Sequence, residues 1–356
     1  MNGQLRDGVV EIGGNARQQF YDARGYGTPA GGNDIRVSRV EAAHLLFRGD
    51  LDAVDDGSGD RLGFEQFFVA SASAVDQFGL RFLVYADLRD RGFYLSPARE
   101  GWPGADDTEW IDLTVYPRGT KPGDGSPAHR VVVVGERESI PAGDIQGLTL
   151  AIVDEESEIS YLETSSPAFD GGTTYQPPDS LTGSLVDDRV VVWDAPDGFF
   201  DHGFYGQPLT AREAIIDSAV QLSLVEAAGL AIGGHLELDG VDGPALEAVC
   251  ERGRTVEGDR FDRRLAVYRE LRDQQVVPKT GYKFGADFRT YNTVDSVEDL
   301  PHSEHLVRVV GVDHEFDPRE LSLDVRLAGG VRKRMVFALT GAKGEIDWLT
   351  VSRLTP

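Results

Sequence analysis

The sequence predicts a mixed α/β (α+β) protein built by tandem duplication, each repeat carrying an N-terminal α/β domain and a second α/β domain with a central mixed sheet. Three observations lead there. Five matched segments recur in the same order in the two halves, helical and strand-like runs follow one another within each half, and a Ser/Thr/Gly/Pro-rich stretch lies between them.

The matches are GYGTP (25–29) with FYGQP (204–208), SRVEAAHLL (38–46) with SLVEAAGLA (223–231), VYADLRDRG (84–92) with VYRELRDQQ (267–275), SPAHRVVVVG (126–135) with HSEHLVRVVG (302–311), and AIVDEESEISYLE (151–163) with ALTGAKGEIDWLT (338–350). Any one is within chance. Five in order, at offsets of about 175 to 187 residues, are the mark of a duplication.

Taken along the chain, residues 1–75 form the first domain, with a helix on the VEAA segment. Residues 76–165 form the second, with strands expected at 131–134 and 148–153. The stretch at 166–183 has the composition of a linker. Residues 184–255 repeat the first domain, with a strand-like run at 189–193. Residues 256–356 repeat the second: Leu265, Tyr268 and Leu271 recur at helical spacing, and runs at 306–312, 323–327 and 335–339 read as β-rich. In DHEFD (313–317), five consecutive residues rarely converge on one ion, and the following Pro318 indicates a turn, so this segment reads as a surface loop.

Composition bounds the function. No apolar run approaches the roughly 20 residues of a membrane span, and no basic, apolar leader opens the chain, so a cytoplasmic protein with no membrane partner is expected. The single cysteine, Cys250, excludes an intrachain disulfide and argues against a cysteine-based zinc site. Acidic residues number 60 against 35 Lys plus Arg, a net charge of −25, and only five of the cations are lysines. With 40% apolar residues this is not a disordered polyanion; it resembles the acid-rich, lysine-poor surface of a halophile's protein, which stays soluble where salt screens repulsion. Such a charge opposes nucleic-acid binding unless cations cluster locally, and four of the five lysines do cluster, between Lys279 and Lys343.

A duplicated chain supplies its own control, because chemistry present in one copy only points to function. The second copy contains VPKTGYKFGADFRTY (277–291), HSEHLV (302–307) and VRKRMVFAL (331–339). In that order and spacing the three motifs resemble the catalytic half of the archaeal tRNA-splicing endonucleases (tRNA-intron lyases) of the duplicated, homodimeric type, with the halophile-like composition noted above. The resemblance spans most of the chain. It implies a nuclease-like fold for the second domain of each repeat and places the catalytic residues at Tyr291, His302 and Lys333. In the first copy His302 matches Ser126, Lys333 matches Gln146, and Tyr291 falls near Tyr116, so that copy is expected to be catalytically silent. His305 matches His129 and reads as structural.

The reaction implied is metal-free, cofactor-free cleavage of precursor tRNA at a bulge–helix–bulge fold, by attack of a ribose 2′-OH on the adjacent phosphate. Imidazole titrates near neutrality, which suits His302 to donate a proton to the leaving 5′-oxygen. Lys333 would stabilise the phosphorane. Tyr291 would be the base, although a phenol ordinarily titrates near 10 and needs nearby cations to serve. The resemblance further implies a substrate-binding clamp of Arg326 and Trp348 around a flipped-out base, an interface formed by the acidic turn Asp154, Glu155 and Glu156, and a homodimer with two active sites. Two other classes remain open from the residues themselves: a noncatalytic RNA-binding or assembly subunit, and a metal-dependent nuclease using the acidic clusters.

Overall fold

A computed structural model describes residues 1–99, 101–105, 111–210 and 218–356. The chain divides into two compact units, one formed by residues 1–165, 315–323 and 353–356, the other by residues 166–314 and 324–352.

In the first unit, β1 (Asn2–Arg6), β2 (Val9–Ile12), β3 (Thr28–Gly31), β4 (Asp34–Ser38), β5 (Ala53–Asp55) and β6 (Arg61–Leu62) form one sheet in the order β3-β4-β2-β1-β5-β6. Helices α1 (Arg39–Phe47), α2 (Phe64–Ala74) and α3 (Phe78–Asp90) follow its strands. A second sheet runs β7 (Tyr94–Pro97), β8 (Leu113–Tyr116), β9 (His129–Gly135), β11 (Thr149–Val153) and β12 (Ile159–Ser165), with a parallel centre where β9 meets β11. The short β10 (Ile140–Pro141) pairs with β21 (Glu315–Phe316).

The second unit repeats this plan. Its first sheet has the order β15 (Gln207–Pro208), β16 (Val220–Ser223), β14 (Arg189–Val192), β13 (Leu181–Val186) and β17 (Leu236–Leu238). Helix α4 (Leu224–Ile232) packs on α5 (Ala245–Glu257) and α6 (Arg260–Asp273). The second sheet runs β18 (Val277–Thr280), β19 (Phe288–Tyr291), β20 (His305–Gly311), β22 (Arg334–Thr340) and β23 (Ile346–Leu354), again with a parallel centre, β20 beside β22.

The repeated VEAA and GYG/FYG segments are joined by one device. Ser38 caps α1, and the buried Glu41 carboxylate accepts from the Ser38 N–H at 2.8 Å, the Ser38 hydroxyl at 2.9 Å and the Gly27 N–H at 2.7 Å. Glu226 does the same for Ser223 and for the Gly206 N–H at 3.0 Å. This is a capping box whose carboxylate also ties a distant turn. The turn needs glycine: Gly27 and Gly206 have φ of +66° and +62°, and a Cβ there would meet a carbonyl oxygen at 2.1 Å and 2.5 Å.

One expectation is corrected. The run at 323–327 is not a strand; it lies within the helix α7 (Pro318–Gly330). Leu321, Val325 and Ala328 are buried at helical spacing while Leu323 and Leu327 are exposed. Asp317 accepts from the N–H groups of Arg319 and Glu320, and Pro318 occupies the first helical position. The 313–317 segment is accordingly not all loop, since it supplies a strand and this helix cap. Among the described residues no helix is long and apolar enough to cross a membrane.

Candidate active site

Strand register sets the site. Thr290 lies opposite His305, and the Glu304 N–H donates to the Thr290 carbonyl at 3.0 Å, which puts Tyr291 beside Glu304. His305 lies opposite Arg334, and the Arg334 N–H donates to the Glu304 carbonyl at 3.0 Å, which puts Lys333 on the other side of Glu304. Tyr291 and Lys333 thus stand at the ends of strands flanking the start of β20, about 10 Å apart at the backbone by ordinary strand spacing. Side chains alternate along a strand and directly paired residues share a face. Thr290, His305 and Val336 therefore face one side, where Phe288, Val307, Val336 and Ala338 pack on Phe261, Leu265 and Tyr268 of α6. Tyr291 and Lys333 face the other, and His302, two residues before Glu304 in the chain leading into β20, is brought to the same strand ends.

Tyr291 is buried in a small cluster with Phe204, Val277 and Val294, its ring edge-on to Phe204 at 5.5 Å. Phe204 has φ of +50°, a left-handed conformation costly for a bulky residue, where the first repeat has Gly25. Lys279 clamps it: Nζ lies 4.8 Å from the Phe204 ring centroid and donates to the Phe204 carbonyl at 3.2 Å and to the Glu226 carboxylate at 2.7 Å. Burial pushes Glu226 upward, but the charge and hydrogen bonds of Lys279 outweigh it and hold the carboxyl at about 2. Burial pulls Lys279 below its ordinary value. The lysine has no counterpart in the first repeat, where Ser96 occupies its register position and burial raises Glu41.

Lys333 is half-buried. Its Nζ donates to the Ser303 carbonyl at 2.8 Å, next to His302, and sits 5.7 Å from the Phe284 ring centroid. Burial, and then the charge of Arg289, lower its pKa. His302 is exposed. Asp287 of the GADF segment is structural: it accepts from the Val309 N–H at 2.9 Å and from Arg260 at 2.6 Å, as Asp112 accepts from the Val133 N–H at 2.7 Å in the first repeat.

The register also equates the two copies. Val277 pairs with Tyr291 as Tyr94 pairs with Tyr116, and Thr290 with His305 as Val115 with His129. His302 therefore corresponds to Ser126. Since His305 pairs with Arg334, and Val131 with Thr149, Lys333 corresponds to Gln146. His305 itself is buried. Its Nδ1 lies 3.2 Å from the Thr290 hydroxyl, and burial, with the charge of Arg334, lowers it to about 4; His44 is likewise lowered to about 4. Folded values depressed below about 6.5 mean stability that is whole above that pH and lost as pH falls toward 4. Melting temperatures in molar KCl should fall over that interval, and a flat curve would show these imidazoles to be protonated in the fold.

The structure separates Arg326 from Trp348. Arg326 is exposed on α7, which Asp324 ties to Arg308 of β20. Trp348 is opposite Ala338, on the α6 side of the sheet, and packs edge-on to Phe169 at 4.8 Å. In the acidic turn, Asp154 is spent locally, accepting from the N–H groups of Glu156 and Glu158, while Glu155 meets Arg137 at 2.6 Å and Glu156 is exposed. Sequence reasoning did not single out Lys279, Glu226 or Phe204; the visible signals were lysine against Ser96 and phenylalanine against Gly25.

Known proteins are similar to the chain across both of its repeats. The tRNA intron endonuclease catalytic C-terminal domain matches residues 261–348, and the N-terminal domain of the same enzymes matches twice, at residues 1–68 and 181–247. The tRNA-splicing endonucleases of Haloferax volcanii and Halobacterium salinarum are each 55% identical to the chain, over the full length of both partners. That of Methanococcoides burtonii is 34% identical over 99% of each. With both domain types in place and such identity from end to end, the chain belongs to the tRNA-splicing endonuclease family.

Proposed function

We propose that the protein acts in the cytoplasm as an RNA endonuclease that excises introns from precursor tRNA, cutting at bulge–helix–bulge folds without a metal or cofactor. The observation that carries this reading is the placement of Tyr291, His302 and Lys333 at the ends of three neighbouring strands, against Tyr116, Ser126 and Gln146 at the same positions of the other repeat. Tyr291 accepts the proton of the ribose 2′-OH as its oxygen bonds to phosphorus. The P–O5′ bond breaks, and His302 protonates the departing 5′-oxygen. Lys333 holds the negative charge that builds on the phosphorane. The products are a 2′,3′-cyclic phosphate and a 5′-hydroxyl.

One site per chain and two cuts per intron call for a homodimer, whose twofold axis suits a pseudo-symmetric substrate. Arg326 and Trp348, which stand apart within one chain, form the base clamp as contributions of different protomers. The turn of Asp154, Glu155 and Glu156 forms an acidic docking loop, with Asp154 shaping it and the two glutamates facing the partner. Incubation with an intron-containing precursor tRNA in concentrated KCl and EDTA should give two cuts with cyclic phosphate and 5′-hydroxyl ends. Cleavage that waits for Mg²⁺ would overturn the mechanism, and intact RNA under every condition would leave a binding subunit.

A further inference from the structure

The face that carries Tyr291 and Lys333 holds a cation that neither the triad nor an ion pair accounts for. Arg289 precedes Tyr291 by two residues on β19 and shares its face, with the guanidinium carbon 5.7 Å from the Tyr291 ring centroid. Directly across the ladder lies Lys279, a like charge in a position where like charges repel. Glu226 answers Lys279 at 2.7 Å. Nothing comparable answers Arg289: among the described residues its guanidinium meets no carboxylate, and its buried Nε has no hydrogen-bond partner. A donor left without a partner in the fold is a cost that an acceptor brought by a bound ligand would offset. Its charge also reaches Lys333, whose proton it loosens. In the first repeat the same register position is Thr114, whose hydroxyl is satisfied by the Gly104 carbonyl at 2.9 Å. The unanswered cation therefore belongs to the copy that carries His302 and Lys333, in a chain whose net charge is −25.

We infer that Arg289 is a further catalytic residue, which donates a hydrogen bond to a non-bridging oxygen of the scissile phosphate beside Lys333 and takes a share of the negative charge that forms with the 2′-O–P bond. This rests on the reading of Tyr291, His302 and Lys333 as the reacting groups. A planar, always charged guanidinium suits a phosphate, and two cations match an oxyanion better than one.

The test is single-turnover cleavage of precursor tRNA by Arg289→Thr, which installs the residue of the other repeat, and by Arg289→Lys. The threonine variant should bind RNA as the wild type does and lose about 100-fold in cleavage rate, while the lysine variant recovers at least tenfold of that loss. Without Arg289 the Lys333 proton is held more tightly, so the alkaline limb of the pH–rate profile should move to higher pH, which loss of packing alone does not do. Arg289→Gln repeats the measurement should the threonine chain melt early. Unchanged rates, a loss confined to RNA affinity, or lysine no better than threonine each overturn the assignment. A wild-type chain that leaves the RNA intact overturns the underlying reading instead, and this one with it.

Discussion

Lys333→Gln, which places in the second repeat the residue found at the same register position of the first, should lower the cleavage rate about 1,000-fold while leaving RNA binding nearly intact. The effect is large because the substitution removes charge at the point where charge develops. Nζ is anchored by the Ser303 carbonyl at 2.8 Å, one residue from His302, so the ammonium is held in place before substrate arrives. Glutamine retains a donor of similar reach but no charge, and a single oxyanion donor in a partly desolvated site is worth about 3–4 kcal/mol. The same geometry predicts a pH dependence. Burial, and then Arg289, depress the Lys333 pKa, and only the ammonium is active, so the rate should fall as pH rises through a value below the ordinary 10.5. Single-turnover rates across pH check both points. A glutamine variant within tenfold of the wild type would sink the role assigned to Lys333.

Much of this was legible in the sequence because the duplication keeps what the fold demands. Ser38 with Glu41 and Ser223 with Glu226 recur because a buried carboxylate must cap a helix and hold a glycine turn at once. The positions proposed as catalytic stood out for the opposite reason: Ser126 and Gln146 fold as well as His302 and Lys333 do. The run at 323–327 misled because Leu321, Leu323, Val325 and Leu327 alternate as a strand would, while the helix start was written in Asp317 and Pro318. Glu226–Lys279 and Arg289 were not legible, since which charges are answered depends on cross-strand partners that only the register supplies.

Lys279→Ser, again copying the first repeat, should destabilise the second unit by about 3–5 kcal/mol near neutral pH, the usual result of removing one partner of a buried ion pair. The sign of its pH dependence is diagnostic. In the wild type, Glu226 is held at about 2, below its unfolded value, so its contribution is present above about 4.3 and lost as pH falls toward 2. Without the lysine, burial governs and Glu226 should rise above the ordinary carboxylate range, as Glu41 does in the first repeat, where Ser96 stands at the lysine's register position. A raised value stabilises at low pH and costs stability as pH climbs through it. The gap between variant and wild type should therefore be widest near pH 7.5 and shrink toward pH 3.5, read by chemical unfolding in molar KCl; an equal gap at both ends would show that Lys279 matters for packing and not for charge. Activity should suffer beyond the loss of folded protein. Lys279 also fastens the carbonyl of Phe204, a residue held at φ of +50° with its ring against Tyr291, and without that hold the backbone is free to relax and carry the ring off the tyrosine. At temperatures where the variant stays folded, the cleavage rate should fall while RNA affinity does not.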